Sequence, residues 1–179
     1  MLRNGPDSFG LVTRALHWAI AGLVLVMLSL GLRLADMQPG LANLWLYSLH
    51  KSLGLVTLAL MTLRVLWHLI SPPPRPMGGG GQALAARAVH WVIYGLMITI
   101  PLSGWAASSA TGIDVMMFDR WIVPAIAPVS TIWEETGFRV HDILTKLLMA
   151  ILALHMAAAL KREMEGDGTL RRMIRGRAR

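Results

Sequence analysis

Four stretches of this chain, roughly residues 15–35, 44–70, 88–110 and 140–160, are each mainly apolar over about 20 residues, the length an α-helix needs to cross the hydrocarbon core of a bilayer. In lipid every backbone polar group must find its partner within the protein, so a lone apolar segment of this length has the helix as its one spanning form. Nowhere does the apolar pattern alternate with period two, which excludes a barrel of strands. The whole chain agrees: 179 residues, 55% hydrophobic, only 15% charged, mean hydropathy +0.54, well outside the range of soluble domains. The expected fold is all-α, an integral membrane four-helix bundle, with residues 1–179 as a single domain. The first stretch is too long for a signal-peptide core and no small-x-small cleavage site follows it, so it is read as a retained anchor.

Charge orients the bundle. Arg3 and Arg14 precede the first span, Arg75 and Arg87 flank the second connection, and Lys161, Arg162, Arg171, Arg172, Arg175, Arg177 and Arg179 make residues 161–179 a basic tail. The first and third connections hold Asp36, Asp114, Asp119, Glu134 and Glu135 against Arg33, Arg120 and Arg139. The positive-inside rule therefore places both termini in the cytoplasm. The net charge of +7 is assigned to the contact of a juxtamembrane segment with anionic lipid, not to nucleic acid. The absence of cysteine excludes a disulfide framework, a thiolate-ligated iron–sulfur cluster and covalently attached c-type haem.

The Pro/Gly run Ser71–Gly81 divides the chain near its middle, and the halves echo one another. Arg14-Ala-Leu-His17-Trp18 opens the first span and Arg87-Ala-Val-His90-Trp91 the third; a glycine follows each histidine by five residues, Gly22 and Gly95. His50 and His141 open the second and fourth spans. Residues 111–139, with Met116, Met117, Phe118, Trp121 and Trp133 among prolines and charges, are read as a cap in the outer interface, where indoles favour the headgroup level. Pro101 should kink the third span and free a carbonyl one turn earlier.

Neutral imidazole is a good iron ligand, and burying it in lipid without a partner is costly. His155 lies fourteen residues after His141, a step that returns a helix to within roughly 40° of its starting direction while climbing roughly 21 Å. One helix thus offers an imidazole near each bilayer face. By depth, His17 pairs with His155 on the cytoplasmic side and His50 with His141 on the outer side, and two bis-histidine haems follow, an arrangement suited to electron transfer. Gly22 and Gly54 are candidates for making room beside the macrocycles. His68 is read as interfacial. Arg64 stands fourteen residues beyond His50, where the other half has His155. With His90 it is expected to form a polar corner beside the inner haem, holding a propionate or a quinone head, the alternative being that Arg64 snorkels to the headgroups. Arg14 and Arg87 face propionates or lipid phosphates. Lys51, Arg139 and Lys146 are candidates for the outer propionates, Lys51 foremost, while Lys146 has an alternative partner in Asp142 at i, i+4.

Arg14-Ala-Leu-His17-Trp18, His50-Lys51-Ser52-Leu53-Gly54, Arg64, Pro101-Leu-Ser-Gly104 and the pair His141/His155, in that order and spacing, resemble the bacterial cytochrome b561 family, which is related to the cytochrome b subunits of nickel–iron hydrogenases and formate dehydrogenases. The resemblance runs from about residue 9 to residue 177. It implies four helices, two haems b, the inner membrane, and iron ligands at His17, His50, His141 and His155. Among stand-alone members of this size it points to the superoxide oxidases, which take an electron from superoxide at the outer face and reduce ubiquinone in the membrane. Lys51, Arg120, Arg139 and Lys146 can form a positive outer mouth for such an anion, against Asp114, Asp119, Glu134 and Glu135 in the same cap. Two other readings stand beside this one: a subunit relaying electrons between quinone and a partner dehydrogenase or hydrogenase, and a haem-free histidine-containing transporter.

Overall fold

In the computed structural model, which describes residues 1–77 and 79–177, the four apolar stretches are helices: α1 Leu11–Ala35, α2 Leu44–Ile70, α3 Gly80–Ala110 and α4 Thr131–Met164. Gly78 of the Pro/Gly run, and Ala178 and Arg179 of the basic tail, lie outside the described residues. All four helices are long and apolar enough to cross a membrane. Three exceed the lengths expected from hydropathy, α1 only by four residues at its start. α3 starts within the glycine run, and α4, at 34 residues, extends for about 51 Å, so its first turns stand clear of any ~30 Å hydrocarbon layer. The connection expected over 111–139 is correspondingly shorter. Residues 131–139 are helical, and the remainder carries a small antiparallel hairpin, β1 Val115–Met117 with β2 Trp121–Val123.

α1 lies on α2, α2 on α3, and α3 most extensively on α4; no comparable seam joins α1 to α4. The α3–α4 seam is tight because small residues meet there: a Cβ on Gly137 would come within 2.8 Å of the Ala107 Cβ. The buried core is a thin axis of Ile20, Val24, Met61, Leu96, Met97 and Leu148. Leu25, Val26, Leu63, Leu66, Leu69 and Leu154 are exposed instead, as expected of a bundle whose outer solvent is lipid rather than water. Many hydroxyls inside the helices are satisfied locally, although that of Thr145 is buried with no partner among the described residues. Ser29, Ser52, Thr57, Thr62, Thr99 and Ser109 each donate to the carbonyl one turn back, so none needs a partner from the apolar surroundings.

Both chain ends meet at one end of the bundle. After Gly166 and Gly168, both at positive φ, the chain turns into a short helix, α5 Thr169–Arg175. α5 docks on the N-terminal segment: the Phe9 N–H donates to the Gly176 carbonyl at 3.0 Å, the Arg14 guanidinium to the Ile174 carbonyl, and the Trp18 indole to the Met173 carbonyl. Asn4 holds Ser71, Arg172 donates to the Arg75 carbonyl, and Arg162 to that of Met77. The ends of α1, α2 and α4 are thereby tied together. At the far end, the hairpin turn places Phe118 and Asp119 at φ of 51° and 53°, a backbone that disfavours side chains with a Cβ. α2 holds this turn. The Phe118 N–H donates to the Ser52 hydroxyl at 2.8 Å, and the Ser48 hydroxyl donates to the Asp119 carboxylate.

Candidate functional site

The histidines fall at two levels. At the far end, His50 near the start of α2 faces His141 on α4, their ring centres 6.2 Å apart and their planes at 79°. The His141 ring is fixed by α3. Its Nδ1 lies 2.9 Å from the Ile100 carbonyl and 3.3 Å from the Ser103 hydroxyl, which itself donates to the same carbonyl. A carbonyl accepts only, so Nδ1 carries the proton and the Nε2 lone pair is left free for a metal, the usual role of a ligand histidine's outer hydrogen bond. Pro101 leaves α3 unbroken, and the carbonyl that His141 uses is the one directly before the proline. Glycines let the helices approach these rings. A Cβ on Gly104 would sit 3.0 Å from both Cε1 and Nδ1 of His141, and one on Gly31 would sit 3.3 Å from Cε1 of His50. Of the two glycines expected to make room, Gly22 points its missing Cβ into open space and Gly54 meets only the Met27 methyl at 3.6 Å.

Two imidazoles on opposite sides of one iron, each with a metal–nitrogen bond of about 2 Å and its ring centre roughly 1.2 Å further back, stand about 6.4 Å apart. The His50–His141 spacing fits that requirement. The His50 Nδ1 is buried with no hydrogen-bond partner among the described residues. Among the described residues no group of three or more His, Asp or Glu side chains forms a site for a bare metal ion, and the pair is suited to a cofactor that brings its own equatorial ligands. The cysteine-free chain would hold such a group by coordination alone.

At the end nearer the termini, His17 of α1, His90 of α3, His155 of α4 and Arg64 of α2 lie close enough to interact electrostatically. His155 meets His90 edge-on with ring centres 5.3 Å apart, about 1 Å too close for a metal between them by the same reckoning. At this spacing His90 is a ring packed on His155, and His17 lies within electrostatic reach of both. The His17 ring packs on the Trp18 indole at 5.1 Å, and Trp67 donates to the buried Thr13 hydroxyl, tying α2 to α1 one turn below His17.

Arg64 is 9% exposed, inside the bundle and not snorkelling. Its Nε donates to the Tyr94 hydroxyl at 3.0 Å, and that hydroxyl lies 3.1 Å from Nδ1 of His68, whose ring stacks on Tyr94. This three-residue chain is the part that hydropathy and spacing missed. Arg64 lies within electrostatic reach of His90, its expected neighbour, and the hydroxyl of Tyr94 joins it to His68 as well. Two atoms of these three residues, Arg64 Nη1 and His68 Nε2, are buried without a partner among the described residues. An unpaired guanidinium nitrogen at membrane depth is costly, and marks a place where an acceptor belongs. The other cations divide plainly. Arg14 is turned into the contact with α5, Lys146 pairs with Asp142 at 2.7 Å, and Lys51 enters no ion pair among the described residues.

Paired imidazoles inside a bundle of membrane-length helices suit a membrane cytochrome of the b type. The model of the family described as prokaryotic cytochrome b561 matches residues 8–176, and the chain belongs to that family, which implies that it binds haem b and is a multi-pass membrane protein of bacterial type. It is 32% identical over 177 residues to cytochrome b561 homolog 2 of Escherichia coli (strain K12), covering 96% of this chain and 93% of that one. It is 31% identical over 166 residues to the probable superoxide oxidase CybB of Yersinia pestis, covering 89% and 91% respectively.

Proposed function

We propose that this protein is a two-haem oxidoreductase that takes single electrons from superoxide at the far end of the bundle and delivers them to ubiquinone near the end that holds the termini. The observation that carries this reading is the 6.2 Å separation of His50 and His141, with His141 already locked in the tautomer a metal needs. His50 and His141 would hold one haem and His17 and His155 the other. A haem held between two imidazoles would supply reversible one-electron exchange. The similarity to a protein named as a probable superoxide oxidase supports the choice of donor.

The chain's own residues divide the remaining work. Ile100 and Ser103 orient His141. Lys51, next to His50 and without a carboxylate partner, draws an anion towards the far end. Arg64 Nη1 and His68 Nε2 supply unsatisfied donors for a quinone carbonyl or a haem propionate, with Tyr94 holding the two in register. The basic residues near the termini put that end in the cytoplasm by the positive-inside rule, so the far end faces outward across the inner membrane. Exposed Trp121 and Ile122 on the hairpin offer a surface for a partner dehydrogenase, the second reading. The purified chain separates the two: reduction of its haems by a superoxide-generating system, abolished by superoxide dismutase, fits the stand-alone enzyme. Haems that stay oxidised until a copurifying dehydrogenase is added fit the subunit.

A further inference from the structure

The end that holds the termini carries more guanidinium than its carboxylates can balance. Arg162 is taken by Asp167 and Arg171 by Glu163, while Glu165 lies with Lys161. Asp7 is the acidic neighbour of Arg172. Of the cations left without an ion pair among the described residues, Arg14, Arg175 and Arg177 lie together. These three line one cavity of about 70 Å³ at the seam between the N-terminal segment and α5, together with Met1, Ser8, Phe9 and Gly176, and no acidic side chain among the described residues lines it. The seam is built, not incidental. Gly176, at φ 90°, passes so close that a Cβ there would lie 3.0 Å from the Phe9 carbonyl and 3.5 Å from the Arg14 guanidinium. Arg14 is held in place by its Nη1 on the Ile174 carbonyl, yet its Nε is buried with no acceptor.

We propose that this seam is a binding site for a phosphate oxyanion. Guanidinium forks match phosphate oxygens two at a time, the Ser8 hydroxyl adds a neutral donor, and the cavity is of a size for one phosphate group. Arg14 lies three residues before His17 at the membrane end of α1, beside the exposed Trp18 indole and Leu11. That is the headgroup level, where a phospholipid presents its phosphodiester. A bound phosphate would bridge α1 to α5 and fasten the basic tail over the inner histidine cluster. The chemistry is the same for a lipid headgroup and for free phosphate, and the source is an outcome of the test.

The haem-loaded full chain is reconstituted with phosphatidylglycerol and phosphatidylethanolamine, extracted in mild detergent, and its retained lipid counted by native mass spectrometry. In a second arm the delipidated protein is titrated with inorganic phosphate and followed by phosphorus NMR. The variant is Arg175→Gln with Arg177→Gln, both exposed and with no side-chain hydrogen bond among the described residues, so haem content stays at the parent level as the check on folding. One phospholipid retained per chain, with retention reduced about tenfold or more in the double variant, assigns the site to lipid. Saturable phosphate binding that displaces the lipid and is lost in the same variant assigns it to the free anion. Equal retention in parent and variant, or no binding in either arm, overturns the proposal.

Discussion

Replacing Gly104 by alanine tests the far-end site at its tightest point. The added methyl would lie 3.0 Å from both Nδ1 and Cε1 of His141, and carbon contacts relax only beyond about 3.5 Å, so the ring must move by roughly half an ångström. That movement strains or breaks the 2.9 Å bond from Nδ1 to the Ile100 carbonyl. Overpacking of this kind costs about 1–3 kcal/mol, and losing the hydrogen bond that orients a metal ligand typically lowers metal affinity about 10–100-fold. At about 1.4 kcal/mol per factor of ten the two estimates overlap, and a loss of about tenfold or more in affinity for one of the two haems is expected. The assay is pyridine-haemochrome quantitation per mole of protein after extended washing, with a redox titration of the haem that stays. Gly31→Ala, whose methyl would meet His50 at 3.3 Å, should give a smaller loss at the same haem. A Gly104→Ala protein that keeps its full haem complement, with an unchanged spectrum and midpoint potentials, would refute the reasoning from ring position to ligand function.

Further outcomes follow from the same contacts. Tyr94→Phe removes the hydroxyl between Arg64 and His68, leaving more buried donors unpaired at about 1–3 kcal/mol each; a lowered melting temperature and a raised KM for quinone are expected, and an unchanged KM argues against quinone binding there. Lys51→Gln should slow haem reduction by superoxide and flatten its dependence on ionic strength, because screening acts on the charge that has been removed; stopped-flow traces at several salt concentrations check this. At Asp167, burial opposes ionisation, but hydrogen bonds from Thr169 and Arg162 and the charge of Arg162 outweigh it and hold the carboxyl below its usual range. A carboxyl with a depressed folded value stabilises the α4–α5 turn at pH above the ordinary value near 4 and loses that contribution as pH falls through the folded one. Proteolysis of the tail should therefore accelerate in acid below about pH 4, and Asp167→Asn should show the faster cleavage already at neutral pH.

Much of this molecule was legible from residue patterns because the bilayer permits so few alternatives. Hydropathy over about 20 residues locates a spanning helix, and the step from His141 to His155 relates two levels on one helix. The ends were harder. Residues 131–139, with Glu134, Glu135 and Arg139, read as a polar cap because hydropathy cannot distinguish a loop from helical turns that rise above the membrane. The hairpin at 115–123 carries no glycine in its turn, and its positive-φ residues, Phe118 and Asp119, are held from outside by Ser52 and Ser48, a support that lies 66–71 residues away in the chain. Gly31 and Gly104 are no more conspicuous in sequence than Gly22; only packing tells which glycine meets a ring. Arg64 announced itself as a charge inside an apolar run, but tyrosines are common in membrane helices, and Tyr94 became meaningful only once α2 and α3 were set side by side.

The account rests on iron held between imidazoles at two levels of the bundle, and the most direct measurement is the number of haems b per chain in the purified protein and in His155→Ala. Two per chain in the parent, with one lost and the other spectroscopically intact in the variant, is the predicted result. Full pigment in His155→Ala, or a parent protein with no Soret band after gentle extraction, would contradict it.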